Sequence, residues 1–425
     1  MFASLSRFRR FLRSQQLVKW SFSLSPRSLA NVASSQSERK TVIDTKLDNH
    51  SLSIQWEDGN ARFHYLWLRH HCQCNSCVNP KTKQRTVDLT LIPKQMNPHD
   101  VHVDSKLLKI IWMDGHQTIF DVSWLKENAY DGGGLLCENQ PETRFGSISH
   151  ESDMTLWDRD AIAGKPPKEF LYRDIIANNK EVLQESLNDL FRFGFIFVND
   201  TPTDEESTLK ICQRIVGPIR ETPEGRVYVI ENKALKDSDL SHFSNALQGH
   251  TDFSFYNDPP GVQAMHCLHH YGTGGMSLLV DGFKAAKTLY QENPAAFQIL
   301  SSFPLRFLSS HFFMQSQGTI LELDPFTRAL TRVRWNTSRF GPLTKLNLSF
   351  EEMEKLYQAI RLYGSIVRRE ENELWFKLTP GKVLLVDNRR VLHGRSAVQG
   401  PRKLIGYYVS MDDYIGKWKE NRMKT

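Results

Sequence analysis

Three residues far apart in the chain have the types and spacing of a metal site. His250 and Asp252 flank one threonine in Gly249-His250-Thr251-Asp252-Phe253, and His393 follows much later in Val391-Leu392-His393-Gly394-Arg395. Two imidazoles and one carboxylate on one face leave half of an octahedral ion open, which suits non-haem Fe(II) that must hold both a co-substrate and O₂. A lone His-x-Asp is a weak signal, since such pairs are common in solvated loops, and a lone His393 reads equally as a core histidine. The setting of His393 adds weight. Val383-Leu384-Leu385-Val386 predicts a buried strand, the polar residues 387–390 a turn, and His393 falls where a second strand begins.

Nine residues beyond His393 comes Arg402, at the head of another strand over 404–409. A guanidinium there is able to grip a carboxylate through two parallel hydrogen bonds, although by itself it reads as a surface arginine. His-x-Asp, a distant His and then an Arg one strand later is the residue order of 2-oxoglutarate-dependent oxygenases. The elements that must position these residues are legible. Helical spacing runs over 180–193 and ends at Gly194, and further helices are predicted over 204–216, 284–300 and 349–368. Short apolar strands are predicted over 195–198, 261–268 and 277–281. Helices outside such strands predict a mainly β fold with flanking helices, a double-stranded β-helix (jelly-roll) whose mouth holds the site. His266, His269 and His270 are read as strand-face residues rather than further ligands.

Before that domain the chain repeats itself. Ile54-Gln55-Trp56-Glu57-Asp58-Gly59 leads to Phe63 and Trp67-Leu68, and Ile111-Trp112-Met113-Asp114-Gly115 leads to Phe120 and Trp124-Leu125. Each Asp-Gly turn between alternating runs predicts a β-hairpin, and two hairpins make a small sheet with limited core. Cys72, Cys74 and Cys77 follow the first hairpin, and His116 lies just past the turn of the second. Together they have the make-up of a closed tetrahedral zinc site, hence a structural one. Disulfides are the weaker alternative in a reducing compartment, and His70 or His71 compete with His116 as fourth ligand. Cys137, Cys212 and Cys267 read as ordinary core or loop residues. The expected boundaries are 1–37 for a leader, 41–126 for the small zinc-binding β domain, 127–167 for a linker rich in Gly and Pro, and 168–425 for the oxygenase domain.

The chain has 425 residues, 40% hydrophobic and 24% charged, which is ordinary for a globular protein of two domains. Its net charge of +6 is concentrated at the start. Residues 1–37 hold Arg7, Arg9, Arg10, Arg13, Lys19 and Arg27 and no acid, so beyond them bases and acids balance. A neutral body argues against a nucleic-acid surface, and no apolar run is long enough to span a bilayer. Arginines and serines interleaved with Phe8, Phe11, Leu12, Trp20 and Phe22 resemble a mitochondrial transit peptide, with a disordered basic tail as the alternative. The expected location is the mitochondrial matrix.

These residues together resemble the γ-butyrobetaine and trimethyllysine dioxygenases of carnitine biosynthesis. The resemblance runs over nearly everything after the leader. It takes in Trp67-Leu68-Arg69, the Cys-x-Cys-x-x-Cys with its later His, Gly249-His250-Thr251-Asp252 and Pro259-Pro260-Gly261-Val262-Gln263. It continues through Thr273-Gly274-Gly275, Val280-Asp281-Gly282-Phe283 and Val391-Leu392-His393-Gly394-Arg395. It implies that His250, Asp252 and His393 ligate Fe(II) and that Arg402 binds the distal carboxylate of 2-oxoglutarate. It also implies that Zn(II) is structural, that ascorbate serves as reductant, and that a small trimethylammonium substrate reacts with O₂. A homodimer is a further expectation. The cofactor supplies the difficult oxidation and no protein acid or base is required, so none is assigned.

The family holds its trimethylammonium head in an aromatic cage, because a permanent cation without N–H groups is attracted to ring faces. This chain departs from that pattern. A family motif with Tyr before a Gly and an aromatic three residues after it reads here Glu224-Gly225-Arg226-Val227-Tyr228, so the first ring is replaced by Glu224. A further cage Tyr corresponds to Phe243, and Tyr408 matches the last wall. A family Trp before the third ligand is Arg389. The complete cysteine motif and Phe297-Gln298-Ile299-Leu300-Ser301-Ser302 point to the γ-butyrobetaine enzyme. The leader, Glu221-Thr222 and Leu278 to Phe283 point to the trimethyllysine enzyme. The complete zinc signature tips the expectation to hydroxylation of γ-butyrobetaine to L-carnitine, with trimethyllysine 3-hydroxylation as the alternative. Two readings from other classes are a non-catalytic relative whose zinc module binds partners, and a zinc hydrolase using the same triad.

Overall fold

A computed structural model describes residues 42–82, 84–93, 96–104, 106–130, 154–231, 245–342 and 349–423. The basic leader, Cys137 and Phe243 lie outside the described residues. The chain divides into two compact units, Met1–Glu138 and Asn139–Thr425.

The first unit is a duplicated β-β-β-α motif. Strands β1 (Val42–Leu47), β2 (Ser51–Trp56) and β3 (Gly59–His64) form one antiparallel sheet, followed by the helix Tyr65–His70. Strands β4 (Pro98–Val103), β5 (Leu107–Trp112) and β6 (Gln117–Asp121) form a second, followed by the helix Val122–Glu127. The sequence predicted one sheet from two hairpins. Each hairpin instead gains an outer strand, β1 or β4, whose mostly exposed or half-buried residues carry little apolar alternation. Alternation in the central strands buries Leu52, Ile54 and Trp56 from one repeat and Leu108, Ile110 and Trp112 from the other in a single core. Trp67 and Trp124, at equivalent helix positions, stack 5.7 Å apart.

The second unit holds two antiparallel sheets. The larger has the order β7 (Glu169–Leu171), β8 (Phe195–Asn199), β19 (Val383–Asp387), β11 (Val262–His270), β22 (Arg402–Val409), β9 (Tyr228–Glu231), with only β7 and β8 parallel. The smaller runs β10 (Leu247–His250), β20 (Val391–Arg395), β13 (Ser277–Asp281), β18 (Leu374–Phe376). From β9 onward the chain alternates between them, β9 and β11 in the large sheet against β10 and β13 in the small, then β19 and β22 against β18 and β20. That alternation is the jelly-roll. Minor strand pairs β12 (Thr273–Gly274) with β21 (Val398–Gln399), β14 (Leu305–Ser309) with β15 (Met314–Gly318), and β16 (Leu321–Leu323) with β17 (Leu330–Val333) complete the unit.

Strand periodicity sorts the core into layers. Leu384 and Val386 of β19 meet Leu279 and Val391 of the small sheet in the interior, while Val383 and Leu385 face the helices Lys180–Phe193, Glu205–Ile215 and Met411–Met423. The small sheet turns Leu278, Val280 and Leu392 outward against the helices Gly282–Glu292, Pro294–Ser302 and Phe350–Val367.

Helix ends follow local chemistry. Asn179 caps the first of these helices by accepting from Glu181 and Val182, and Gly194 ends it at φ +79°. A Cβ on Gly194 would come within 2.6 Å of Val391 Cγ2, so glycine is required twice over. Ser349 and Glu352 form a reciprocal capping box. Where one helix was predicted over 284–300 there are two, because Pro294 lacks the N–H that a continuous helix needs and Asn293 caps the second. The predicted linker 127–167 also differs. Its later part forms the helix Arg159–Gly164, and Trp157 is buried in the barrel core with its backbone N–H donated to Asp281 at 3.1 Å.

Candidate functional site

Strands β10 and β20 pair so that His250 stands directly opposite His393. Asp252 lies just past the end of β10, where Phe253 takes a left-handed φ of +53° and Thr251 donates to the Trp335 carbonyl at 2.7 Å. Asn388, in the turn between β19 and β20, clamps the Asp252 backbone from both sides. It accepts from Asp252 N at 2.7 Å and donates to Asp252 O at 3.1 Å and to Pro260 O at 2.9 Å. The polar turn seen in the sequence therefore fixes the second ligand as well as preceding the third.

The side chains converge. His250 Nε2 is 3.3 Å from Asp252 Oδ1, and His393 Nε2 is 3.5 Å from Asp252 Oδ2. The two imidazole rings are 4.6 Å apart. Ligands about 2.1 Å from one octahedral ion stand about 3 Å from each other, so the spacing fits a shared metal. His250 Nδ1 is 2.8 Å from the Gln248 carbonyl, which holds the proton on Nδ1 and leaves Nε2 a lone pair. Gln263 and Tyr408 donate to Asp252 Oδ2 at 2.5 and 2.6 Å. Burial pushes the Asp252 carboxyl up, but His393 and His250 outweigh it and hold the group well below its usual range, ionised as a ligand must be. Burial likewise lowers His393 and favours the neutral ring.

A cavity of about 290 Å³ opens beside these residues. Arg402, opposite His270 across the sheet, lines it, as does Arg395 two residues beyond His393. Both are buried, at 5% and 6% exposure, which is costly for a guanidinium; Arg395 donates to the Asn245 carbonyl at 2.7 Å. Among the described residues Arg402 has no carboxylate partner and its Nε makes no hydrogen bond. Burial, then the Arg402 charge, pushes Arg395 down to about 10. Two neighbouring cations facing a cavity of this size suit a small dianion such as 2-oxoglutarate.

Part of the cavity lining is aromatic. Tyr228 and Tyr408 have ring centres 5.0 Å apart, and Phe253 meets Tyr408 edge-on at 4.9 Å. Glu224 lines the same cavity. Burial first, then the charges of Asp252 and Glu224, push the Tyr228 and Tyr408 hydroxyls well above their ordinary value. Four site residues went unassigned in the sequence: Gln263, Asn388, Arg395 and Arg339. For Gln263 there was a signal, a lone polar side chain between Val262 and Ala264 in a buried strand.

In the first unit the donor atoms of Cys72, Cys74, Cys77 and His116 lie within 4.8 Å of one another. The three sulfurs are 3.3, 3.7 and 3.5 Å from His116 Nε2. Zn–S of about 2.3 Å and Zn–N of about 2.0 Å give tetrahedral edges of about 3.5 Å, so the cluster fits zinc. Gly115, at φ +80°, turns the chain just before His116. Burial opposes ionisation of Cys74, yet hydrogen bonds from Ser76, Cys72 and Cys77 bring it to about 7, whereas burial pushes Cys77 up to about 11. His71 does not join the cluster. Its Nδ1 bonds the Trp67 carbonyl at 2.8 Å and its ring stacks on Trp67. All three cysteines are free thiols, as are buried Cys212 and Cys267.

A jelly-roll that sets two imidazoles and a carboxylate beside a buried, unpaired guanidinium has the make-up of a 2-oxoglutarate-dependent dioxygenase. The model of the taurine catabolism dioxygenase TauD, TfdA family matches residues 160–408, and that of the gamma-butyrobetaine hydroxylase-like N-terminal domain matches residues 43–126. The mitochondrial trimethyllysine dioxygenase of Mus musculus is 36% identical over 370 residues, covering 86% of this chain and 84% of that protein. The Homo sapiens protein of the same name is 34% identical over 368 residues, covering 85% and 83%. A trimethyllysine dioxygenase of Neurospora crassa is 32% identical over 393 residues, covering 83% and 79%. The chain belongs to the TauD/TfdA dioxygenases, in the γ-butyrobetaine and trimethyllysine dioxygenase family. The relatives favour the trimethyllysine alternative over the γ-butyrobetaine preference drawn from the cysteine motif. That motif is a property of the N-terminal unit and is remote in sequence from the residues that line the cavity.

Proposed function

We propose that this protein hydroxylates an aliphatic carbon of a methylated, lysine-like amino acid, and that trimethyllysine is the first substrate to assay. The observation that carries the reading is the single cavity shared by His250, Asp252, His393 and the unpaired Arg402. His250, Asp252 and His393 hold Fe(II), and Arg402, with Arg395 beside it, holds the 2-oxoglutarate carboxylate. When bound, Fe(II) with 2-oxoglutarate and O₂ supplies the oxidising power for hydroxylation. The chain's own residues position and protect. Gln263 and Tyr408 keep the Asp252 carboxylate oriented, and Tyr228, Phe253 and Tyr408 supply a dry aromatic wall. Glu224 and the ring faces attract the substrate's cation, with Phe243 a further candidate wall. Arg339 lines the same cavity 5.1 Å from the Phe255 ring and is a counter-ion for the substrate's carboxylate. Cys72, Cys74, Cys77 and His116 bind a structural Zn(II). The basic leader, together with relatives named mitochondrial, supports a mitochondrial location.

The test is 2-oxoglutarate-dependent succinate formation with Fe(II) and ascorbate, with trimethyllysine, γ-butyrobetaine or no amino acid, and mass spectrometry of the product. Stimulation by a lysine derivative, abolished in His250→Ala and with KM for 2-oxoglutarate raised at least about tenfold in Arg402→Lys, is expected. Failure to bind both Mn(II) and 2-oxoglutarate would overturn the enzyme reading and favour the non-catalytic one.

A further inference from the structure

One corner of the active-site cavity is built of acceptors. Tyr228 gives its hydroxyl proton to the Ala264 carbonyl at 2.9 Å, and Tyr408 gives its own to Asp252 at 2.6 Å. Neither phenol has a proton left to offer a ligand, and Tyr408 also accepts from Gln263 Nε2 at 3.1 Å, so what the pair presents is chiefly its ring faces. Glu224 lines the same cavity, carried on a tight turn in which Thr222 and Gly225 exchange backbone hydrogen bonds at 3.1 and 2.8 Å, with Gly225 at φ +99°. Glu224 is itself exposed, and its charge adds, after burial and Asp252, to the upward push on both phenols.

A trimethylammonium group satisfies ring faces but has no N–H, and its methyl groups hold the nitrogen away from a carboxylate. An ammonium that keeps an N–H reaches the same carboxylate through a short, charge-assisted hydrogen bond. We propose that Glu224 makes this subsite selective for amino acids whose side-chain nitrogen retains an N–H, a mono- or dimethylammonium ahead of a trimethylammonium. The proposal rests on the reading of the cavity as the substrate site of a hydroxylase.

The experiment uses the full-length chain with two readouts. Turnover of Nε-monomethyl-, dimethyl- and trimethyllysine is measured on Fe(II)-loaded protein with saturating 2-oxoglutarate. The same amino acids are titrated calorimetrically into Mn(II)-loaded protein, which does not turn over. Affinity and kcat/KM about tenfold higher for dimethyllysine than for trimethyllysine are expected. That ratio should fall to within about twofold in Glu224→Gln and reverse in Glu224→Tyr, which restores a ring face. A wild-type preference for trimethyllysine, or a dimethyl preference that survives in Glu224→Gln, overturns the proposal and leaves the hydroxylase reading standing. If nothing is hydroxylated but the Glu224-dependent order of binding holds, the subsite assignment stands and the hydroxylase reading falls. If none of the three binds or turns over, both fall.

Discussion

Asp252 is held from several sides at once: its backbone by Asn388, one oxygen by Gln263 and Tyr408, and its charge by two imidazoles. Partners behind a metal ligand commonly change metal affinity about 10- to 100-fold when removed. Tyr408→Phe deletes one donor while keeping the ring. It is expected to weaken Mn(II) binding about tenfold in an equilibrium titration, with a smaller effect on the affinity of the amino-acid substrate. Equal losses in both would mean that the hydroxyl serves the substrate rather than the carboxylate. The residues easiest to read from sequence were those whose chemistry admits few substitutes, namely His250, Asp252, His393 and Arg402. Gln263, Asn388 and Arg395 were harder because amide and guanidinium side chains have many ordinary uses. What distinguishes them is burial and aim, which only the three-dimensional pairing of β10, β11, β19 and β20 supplies.

Two buried polar links join elements across the barrel unit. Arg390 and Asp281 are both almost fully buried, with Nη2 2.7 Å from Oδ2, and Arg390 also donates to the carbonyls of Arg192 and Thr155 at 2.9 and 2.5 Å. Asp281 in addition caps the helix Gly282–Glu292. Removing one partner strands the other charge, so Asp281→Ala is expected to cost about 3–5 kcal/mol in denaturant unfolding. The double change with Arg390→Met should cost less than that, and Asp281→Asn, which keeps the cap, should fall between. The second link joins His266 of β11 to Thr208 of the helix Glu205–Ile215. His266 Nδ1 is 2.7 Å from the Thr208 hydroxyl, which itself donates to the Asp204 carbonyl, so the imidazole is the donor, and its buried Nε2 has no partner among the described residues. Charging that ring would bury a cation, and burial lowers His266 to about 4. The folded state thus holds this proton less well than the unfolded chain does, so stability is complete above about pH 6.5 and is lost as pH falls toward 4. The loss is at most about 3 kcal/mol, and His266→Leu should flatten that part of the acid limb in metal-free protein. Sequence periodicity placed these helices and strands well because each buries one continuous face. It misjudged 284–300 because apolar spacing continues across Pro294, and it missed β1 and β4 because outer strands bury too little to leave a pattern.

At the scale of the chain, charge and composition separate the basic segment 1–37 from a neutral body, and among the described residues no helix is long and apolar enough to cross a membrane. The N-terminal unit has its own core, built from two copies of one motif, the first contributing three cysteines and the second one histidine to the cluster. The cysteines follow the helix of the first repeat and His116 follows the turn of the second, so a bound metal would join the repeats through chain segments that lack regular structure. Three thiols, two of them buried, around one imidazole gain little by themselves, since without an ion they hold only weak sulfur contacts and opposed ionisation tendencies. Metal binding there would therefore be coupled to local order more than to formation of the two sheets. Chelation, or Cys72→Ser, is expected to release about one zinc per chain and to raise amide exchange by at least about tenfold over residues 72–79 and 113–117. Exchange in the central strands β2 and β5 should change much less, because Leu52, Ile54, Leu108 and Ile110 are buried without help from the cluster. Uniform loss of protection across the unit would instead make zinc a condition of folding. Unchanged exchange together with no measured zinc would remove the metal from the site.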